Sequence, residues 1–445
     1  MRFLLLNQFY PPDVAPTGQY LHDLAQLLAR RGHQVKVLCS RRSYNGTKCF
    51  LPYECLDGVE IVRLPATGFG RRGFLGKMVD YASFYVLLFI ALMIQRKRPD
   101  LILSLTTPPY IGLAAKMAAK KYGCAHAHWI MDLYPDVMFA HGMTAKSSLL
   151  SRSLSRLTRL QFNGAAGVIA LGPSMAGRLS FYCDSRVVSW IPLWTTLEPN
   201  DSPDEPNPFR AARGWSGDDV VFLYSGNMGL GHRFGEFLQA AKQPADSRPR
   251  WAFAGDGKRR AEIEAFAKAN PSARIQFVDS VPYSQLRAHL CSADVHLASM
   301  DSAWQGTMVP SKLQGSFAVG RPVLYVGGRN CETALWIQQS GGGWVVDEND
   351  LPGLANAIEQ ACDPAERSRR GQAALHFARR NFLKSVACAR FIELLETAGR
   401  PGSKQQPEPL EVADRPKTKR DKEPSEILNA KSGSAFSGRF LAIFA

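Results

Sequence analysis

Two stretches in the second half of the chain bring glycines and cations together where a strand-like run gives way to a helix-like one. The apolar run Val220 to Tyr224 leads into Ser225-Gly226-Asn227-Met228-Gly229-Leu230-Gly231-His232-Arg233. Glycines let a backbone approach a ligand closely, and the N-terminus of a following helix attracts phosphate. His232 and Arg233 would add side-chain donors at the same edge. A plain tight turn would account for the same glycines, and the intervals between Gly226, Gly229 and Gly231 do not give the dinucleotide-binding pattern. The second stretch, Trp304-Gln305-Gly306-Thr307-Met308-Val309-Pro310-Ser311-Lys312, opens a helical pattern from about Ser311 to Val319. Ser311 is expected to cap that helix and Lys312 to act as a point charge on an anion lying against its free N–H groups. The plain alternative is a capped helix with an exposed lysine.

Two loops lie between these stretches. Gly255-Asp256-Gly257 follows Trp251 to Ala254 and reads equally as a turn or a binding loop. Asp279-Ser280-Val281-Pro282 follows Arg274 to Val278, and from its position could offer backbone groups to a nucleobase. In the first half, Pro16-Thr17-Gly18 precedes a helix, and the run from His126 to Asp136 ends a strand. His126 and His128 share a strand face, so a metal is conceivable, but no third ligand is apparent and hydrogen-bonded strand histidines are commoner. Asp132, at the strand's carboxyl end, is better placed for a functional acid. Between Ala145 and Phe162, Arg152, Arg156 and Arg159 line one helix face and Leu150, Leu154 and Leu157 another, a pattern of a solvated helix or of membrane contact.

The elements that must hold these residues alternate. Arg2 to Asn7, Gln34 to Cys39, Glu60 to Leu64, Leu101 to Leu105, Ala127 to Met131 and Gly167 to Leu171 read as strands. A helix from about Gly18 to Arg31 aligns Leu21, Leu24, Leu27 and Leu28. After a polar, proline-rich stretch from Glu198 to Pro208 the alternation restarts, with strands at 220–224, 251–254, 274–278, 295–297, 322–325 and 343–346. Strands alternating with helices imply parallel βαβ units in a doubly wound sheet, here twice over. The expected α/β organisation is a first domain over residues 1–197, a linker over 198–215, a second domain over 216–380, a C-terminal helix over 381–399 packing back toward the first domain, and a disordered tail over 400–445, rich in Pro, Lys, Glu and Ser.

A length of 445 residues suits about two to three domains. The formal charge of +15 points to nucleic acid, an anionic membrane surface or phosphorylated substrates, and no nucleic-acid recognition signature is present. Nine cysteines without a Cys-x-x-Cys pair suit a reducing cytoplasm, and no signal peptide is expected at the N-terminus. Tyr81 to Ile94 carries no charge and is flanked by Arg71, Arg72 and Lys77 on one side and Arg96, Lys97 and Arg98 on the other. Fourteen residues are too few to span a bilayer, which takes about 20. A helix over 78–95 is therefore either a core helix or one dipping into the cytoplasmic leaflet with its basic flanks among head groups.

Taken in order, Tyr10-Pro11-Pro12 to Gly18, Arg31-Gly32-His33-Gln34-Val35, Asp132-Leu133-Tyr134-Pro135-Asp136, Gly226-Asn227-Met228-Gly229, Gly255-Asp256-Gly257 and Pro310-Ser311-Lys312 through Gly320-Arg321-Pro322 resemble the retaining glycosyltransferases of family 4. The likeness covers about Met1 to Ala398 and is greatest to members of bacterial capsule, colanic-acid and O-antigen assembly, including the N-acetyl-L-fucosamine transferase group. It implies the GT-B fold, two facing Rossmann-like domains with the cleft between them. Many members carry two glutamates eight positions apart before the Gly-x-Pro, where this chain has Thr307 and Gly315. Glu332 is a partial substitute or the cap of a helix. Asn227 and His232 stand at the family's basic diphosphate positions, which leaves Arg233 and Lys312 as the expected cations.

The resemblance implies transfer of a hexosyl group, of N-acetylamino-deoxy type in that group, from a nucleoside-diphosphate sugar, expected to be UDP-linked, to a lipid-diphosphate-linked saccharide. No metal and no cofactor are implied, and the place is the inner face of the cytoplasmic membrane. Asp132, Arg233 and Lys312 are the expected catalytic residues. Gly18, Gly226, Asn227, Gly229, His232, Asp256, Val281, Pro310, Ser311 and Glu332 join Arg233 and Lys312 as expected donor contacts. The rivals are a nucleotide-sugar 2-epimerase, which also uses two facing α/β domains, and a membrane-docked binding module without turnover.

Overall fold

The structure is a computed structural model that describes residues 1–13, 15–44, 46–69, 74–145, 147–200, 207–242 and 248–400. Arg71, Arg72, part of the expected linker and all but the first residue of the expected tail lie outside the described residues. The first half runs β1 (Arg2–Leu6), α1 (Pro16–Arg30), β2 (Gln34–Ser40), β3 (Tyr53–Leu56), β4 (Val59–Leu64), α2 (Phe74–Met93), β5 (Leu101–Ser104) and α3 (Ile111–Tyr122). It continues with β6 (Ala125–Trp129), α4 (Asp136–Ala140), α5 (Leu149–Phe162), β7 (Gly167–Ala170), α6 (Pro173–Leu179) and β8 (Val188–Trp190). The second half begins with α7 (Pro208–Ala212), β9 (Val220–Ser225), α8 (Gly235–Lys242), β10 (Pro249–Ala254), α9 (Arg260–Ala269), β11 (Ile275–Val278), α10 (Leu286–Cys291) and β12 (Val295–Met300). It ends with α11 (Lys312–Ala318), β13 (Val323–Gly327), α12 (Glu332–Ser340), β14 (Gly343–Val346), α13 (Leu351–Cys362), α14 (Pro364–Asn381) and α15 (Lys384–Ala398).

The strands form two sheets, one ordered β3-β4-β2-β1-β5-β6-β7-β8 and the other β11-β10-β9-β12-β13-β14. Among the described residues only the strand β3 runs antiparallel, pairing Tyr53 with Val62 and Leu56 with Val59. Central strands such as β9 and β13 are buried along nearly their whole length, as a parallel sheet covered on both faces requires. Strand order reverses between β1 and β5 in the first sheet and between β9 and β12 in the second. At such a switch point the loops leaving adjacent strands diverge and open a crevice at the carboxyl ends. Both crevices belong to the cleft described below.

α2, α3 and α5 lie side by side as one layer on the first sheet. Two lysines of α3 tie them: Lys116 Nζ donates to Leu160 O near the end of α5 (2.6 Å), and Lys121 to Met93 O at the end of α2. Cations there satisfy the last helical carbonyls and offset the negative end of the dipole. The uncharged run of the sequence is part of a longer helix, the twenty residues of α2. Phe84, Leu88 and Leu92 form its buried stripe against the sheet, while Leu75, Val86, Phe89 and Ile90 stay exposed.

α15 returns to the first sheet. Phe391 sits against Trp129 of β6 with ring centroids 4.5 Å apart, and Lys384 pairs with Asp23 of α1. Asp23 also accepts from Trp194 Nε1 at 2.8 Å. Truncating a fully buried aromatic removes its transfer free energy and leaves a cavity. Phe391→Ala is expected to destabilise the first sheet by about 3–5 kcal/mol, read as a lower urea midpoint for the transition followed by tryptophan fluorescence. An unchanged midpoint would place Phe391 outside the core.

Candidate functional site

The two sheets are joined through backbone at the loops that leave the carboxyl ends of β6 and β12. Leu133 N donates to Thr307 O at 2.8 Å, and Asp132 forms an antiparallel bridge with Met308. The turn after β6 is thereby joined to the loop after β12. Gly306, at φ +70°, packs so tightly on Ser174 that a Cβ would lie 2.9 Å from its carbonyl oxygen. The rings of His141 and Trp304 meet edge to face at 4.4 Å, and Trp304 in turn covers Gly231, where a Cβ would lie 2.9 Å from the indole.

On the second sheet, the loops after β9 and β12 flank the switch point and bring Lys312 to Gly226. A side chain at Gly226, which has φ +134°, would press within 2.8 Å of Lys312 Cε. The Lys312 ammonium lies 4.9 Å over the Tyr224 ring and donates to His232 Nε2 at 3.2 Å. His232 Nδ1 faces the carbonyl of Ser299 at 2.6 Å, and since that oxygen only accepts, Nδ1 carries the proton and Nε2 is the bare acceptor. Burial and the Lys312 charge hold His232 neutral, its pKa lowered to about 3. Desolvation lowers Lys312 to about 8. His232 therefore orients Lys312 and brings no positive charge, which corrects its expected part as a donor to the anion.

Arg233 is also placed differently from expectation. Its Nε donates to Glu236 Oε1 at 2.9 Å, and its other nitrogens reach Glu348 and Asp301, each at 3.5 Å, and Asn349 at 3.0 Å. Three carboxylates already compensate that guanidinium, so it does not stand open to a diphosphate. Ser311 occupies the position before α11 but makes no side-chain cap, another correction, and it is exposed while Pro310 is buried. α11 has seven residues. Asn227 is exposed beside Gly229, with its amide 3.2 Å from where a Gly229 Cβ would be, and its carbonyl accepts from Tyr224 Oη at 2.8 Å. Gly255 and Gly257 take φ of +115° and +146° and lie against the carbonyls of Gly226 and Met228, so this loop buttresses the first glycine loop. Asp256 is exposed and accepts from Gly257 N at 2.8 Å. Val281 is half-buried after β11, and no hydrogen bond brings it to the other residues.

Across the cleft, Asp132 is half-buried, and desolvation raises it to about 6. It shares a small pocket with Thr106, Tyr110 and Tyr134, and its N–H donates to Thr106 Oγ1 at 3.3 Å. His128, below it, accepts at Nδ1 from Ser104 Oγ (2.8 Å) and reaches Gln161 O with Nε2 (3.1 Å), while desolvation lowers it to about 3. His126 and His128 are thus core histidines, and among the described residues no group of three His, Cys, Asp or Glu is placed to hold an ion. Gly18 lies inside α1, where a Cβ would come within 2.8 Å of Phe9 O, so close packing of the preceding loop requires it.

The glutamate positions are filled by structure. Thr307 is fully buried, its hydroxyl donating to Trp304 O at 2.7 Å. Gly315 sits beside Leu290, whose Cδ1 would lie 3.3 Å from an added Cβ. Glu332 is fully buried, and its Oε1 accepts from Met175 N of α6 at 2.8 Å. It clasps the two sheets from behind Gly172, where a Cβ would lie 2.2 Å from Glu332 Cγ. Among the described residues its Oε2 has no partner, and burial raises the group to about 7, so a clasp takes the place of the expected sugar contact. Thr106, Tyr110, His141 and Trp304 were not anticipated. Nothing in their local patterns sets them apart, and only the pairing of the two loops assembles them.

Two facing α/β sheets with a glycine-lined, lysine-bearing crevice opposite a half-buried acid define a GT-B glycosyltransferase. Residues 17–194 match the glycosyl transferase 4-like domain, and residues 219–363 match glycosyl transferases group 1. The chain carries both of these glycosyltransferase domains and is a glycosyltransferase. It is 26% identical over 283 residues, 63% of this chain and 70% of the other, to the probable glycosyltransferase WbjE of Pseudomonas aeruginosa. Over 351 residues, 75% of this chain and 86% of the other, it is 23% identical to the putative colanic acid biosynthesis glycosyl transferase WcaI of Escherichia coli K12. The fold is shared with sucrose-phosphate synthase of Thermosynechococcus elongatus (TM-score 0.70, 17% identity, 89% of this chain and 98% of that one). It is shared too with Anabaena HepE in complex with UDP-glucose (TM-score 0.64, 14% identity, 89% and 99%).

A carboxyl raised on folding binds its proton more tightly in the native state, so stability is lost as pH rises from the unfolded value through the folded one. For Glu332 that window runs from 4.5 to about 7. Glu332→Gln keeps an acceptor for Met175 N and removes the titration. The variant is expected to gain stability over the wild type as pH rises through this window, by up to about 3 kcal/mol. Parallel stability–pH curves from urea titrations would contradict the clasp.

Proposed function

We propose that the enzyme moves a hexosyl group from a UDP-sugar to a lipid-diphosphate-linked saccharide with retention of configuration, in the assembly of a bacterial surface polysaccharide. The observation that carries this reading is Lys312, a desolvated ammonium at the switch point of the second sheet, with His232 Nε2 and the Tyr224 face on one side and Gly226 under its stem. Diphosphate is the leaving group that a cation in such a crevice stabilises, because charge develops on it as the glycosidic bond breaks. Gly226 and Gly229 let the phosphates approach the backbone, and with Arg233 compensated by carboxylates Lys312 holds the main charge. The acceptor oxygen bonds to the anomeric carbon on the face that the diphosphate leaves, and its proton passes to the departing phosphate oxygen. Asp132, ionised above pH about 6, orients the acceptor hydroxyl or the donor sugar. The colanic acid biosynthesis relative supports the polysaccharide setting, and the UDP-glucose complex of HepE supports the donor class.

A lipid-linked acceptor needs the enzyme at a bilayer surface. Leu75–Met93 is long and apolar enough to cross a membrane, and 17% of it is buried in the protein. With its Phe84, Leu88 and Leu92 stripe committed to the core, α2 is read as lying in the headgroup region of the inner leaflet, with the cationic Arg96, Lys97 and Arg98 beside it.

Lys312→Ala is expected to lower kcat by about 100- to 1000-fold with folding intact, whereas Arg233→Ala should act chiefly on stability. Wild-type kcat/KM should rise with pH through about 6 as Asp132 ionises and fall above about 8 as Lys312 loses its proton. Turnover of a UDP-sugar panel with extracted lipid acceptors measures both. A Lys312→Ala enzyme of near-normal rate would sink the assignment, and donor epimerised without acceptor would favour an isomerase.

Membrane attachment has its own test. Val86, Phe89 and Ile90 are exposed, so their joint replacement by serine should leave the fold intact and release the protein from sedimented membranes. Retention would refute the interfacial reading.

A further inference from the structure

A cavity of about 430 Å³ between α5 and α6 has no part in the reaction described above. Arg152, Arg156 and Arg159 of α5 and Arg178 of α6 line it, and Asp136 is the sole carboxylate among its lining residues. Asp136 is already engaged, by Arg178 at 3.4 Å and by Tyr182 Oη at 2.5 Å. Arg159 Nε reaches Phe181 O at 3.4 Å. The guanidinium groups of Arg152 and Arg156 make no hydrogen bond or ion pair with any described residue, and both side chains are exposed at the cavity. Four guanidinium groups around one compensated carboxylate leave a concave, positively charged site, and their planar forks match the oxygens of a phosphate.

The rim has the opposite character. α5 buries Ser151, Thr158 and Gln161 with a single apolar side chain, Phe162, and leaves Leu149 80% and Leu160 50% exposed. Soluble helices bury the apolar face and expose the polar one. The buried hydroxyls are satisfied locally, Ser151 Oγ donating to Ala145 O at 2.6 Å and Thr158 Oγ1 to Tyr134 O at 3.0 Å. Phe181, 74% exposed, stands at the same cavity. An anionic headgroup site rimmed by apolar side chains is the complement of a phosphate carried on acyl chains. Nucleic acid or an acidic peptide would leave the leucines and Phe181 in water.

We propose that this cavity binds the phosphate of an anionic membrane phospholipid, with its acyl chains alongside Leu149, Leu160 and Phe181. The proposal rests on the membrane reading only in placing a bilayer at this face. α4, which supplies Asp136 to the cavity wall, directly follows the Asp132-bearing turn, so an occupied cavity fixes the angle at which the cleft faces the bilayer.

Dihexanoyl phosphatidylglycerol below its micelle concentration is the probe, titrated into the full chain by calorimetry. Saturable binding is expected, weakened about tenfold or more in Arg152→Gln/Arg156→Gln, since each lost charge-assisted hydrogen bond carries more than 1 kcal/mol. Dihexanoyl phosphatidylcholine should bind more weakly, and Lys120→Gln/Lys268→Gln, exposed cations outside the cavity, should bind like wild type. An unchanged thermal shift with UDP would verify the fold of each variant. No binding, equal binding by the arginine variant, or equal loss in the lysine variant would overturn the proposal. Inorganic phosphate binding as tightly as the lipid would make this a free-anion site, and farnesyl diphosphate binding far more tightly would assign it to a lipid diphosphate; either result overturns the phospholipid assignment. Wild type that binds the monomeric lipid but never sediments with vesicles refutes docking through α2 and leaves the cavity standing. Sedimentation without monomer binding does the reverse.

Discussion

The pairing of Leu133 N with Thr307 O, with Asp132 bridged to Met308, is the constraint on which the rest of the site depends. It joins the two sheets through peptide groups, so its register is fixed by backbone geometry and owes nothing to side-chain rotamers. Asp132 precedes the donor residue by one position, and Lys312 follows the acceptor residue by five. Acid and cation are therefore placed relative to each other by a short, stiff path. The His141–Trp304 contact on one flank and the Glu332–Met175 clasp on the other keep that path from rotating.

Within this frame desolvation separates the two cations that sequence alone could not rank. Arg233 sits among Glu236, Asp301 and Glu348, and its charge is spent holding the loops after β12 and β14 against α8. Lys312 has a neutral imidazole and a ring face for neighbours and no carboxylate, so its charge is stabilised poorly until an anion arrives. An incoming diphosphate gains most from the second kind of cation. The glycines make the same point sterically: Gly226 leaves room for the Lys312 stem, and Gly257 lets the supporting loop lie against Met228.

The strand–helix alternation was legible because buried parallel strands are continuous apolar runs and the helices between them show a 3.6-residue period. β3 and β8 escaped this reading for physical reasons. β3 is an antiparallel edge strand, exposed over most of its length, and β8 has three half-buried residues, so neither carries an apolar run. At the site, Lys312 could be found from its place between Pro310-Ser311 and a helix. The fate of Arg233 could not, because Asp301 and Glu348 lie 68 and 115 positions away. Glu332 reads locally as a residue of a helix's first turn, and only the approach of α6 makes it a clasp.

Surface helices show the same limit from the other side. Periodicity reveals that α5 has a leucine and an arginine stripe but not which of them is covered, and here both stay largely exposed while Ser151, Thr158, Gln161 and Phe162 are buried. The formal charge of +15 is equally silent about its own use. Lys116 and Lys121 spend theirs on the last carbonyls of neighbouring helices, while Arg152 and Arg156 have no such partner. A hydrogen bond to a neutral carbonyl leaves the lysine's charge in place but occupies its donors, so the guanidinium groups of Arg152 and Arg156 are the ones with donors open to an anion. Those unspent charges stand beside exposed leucines on the same helix, which makes this face of the first domain cationic and apolar at once.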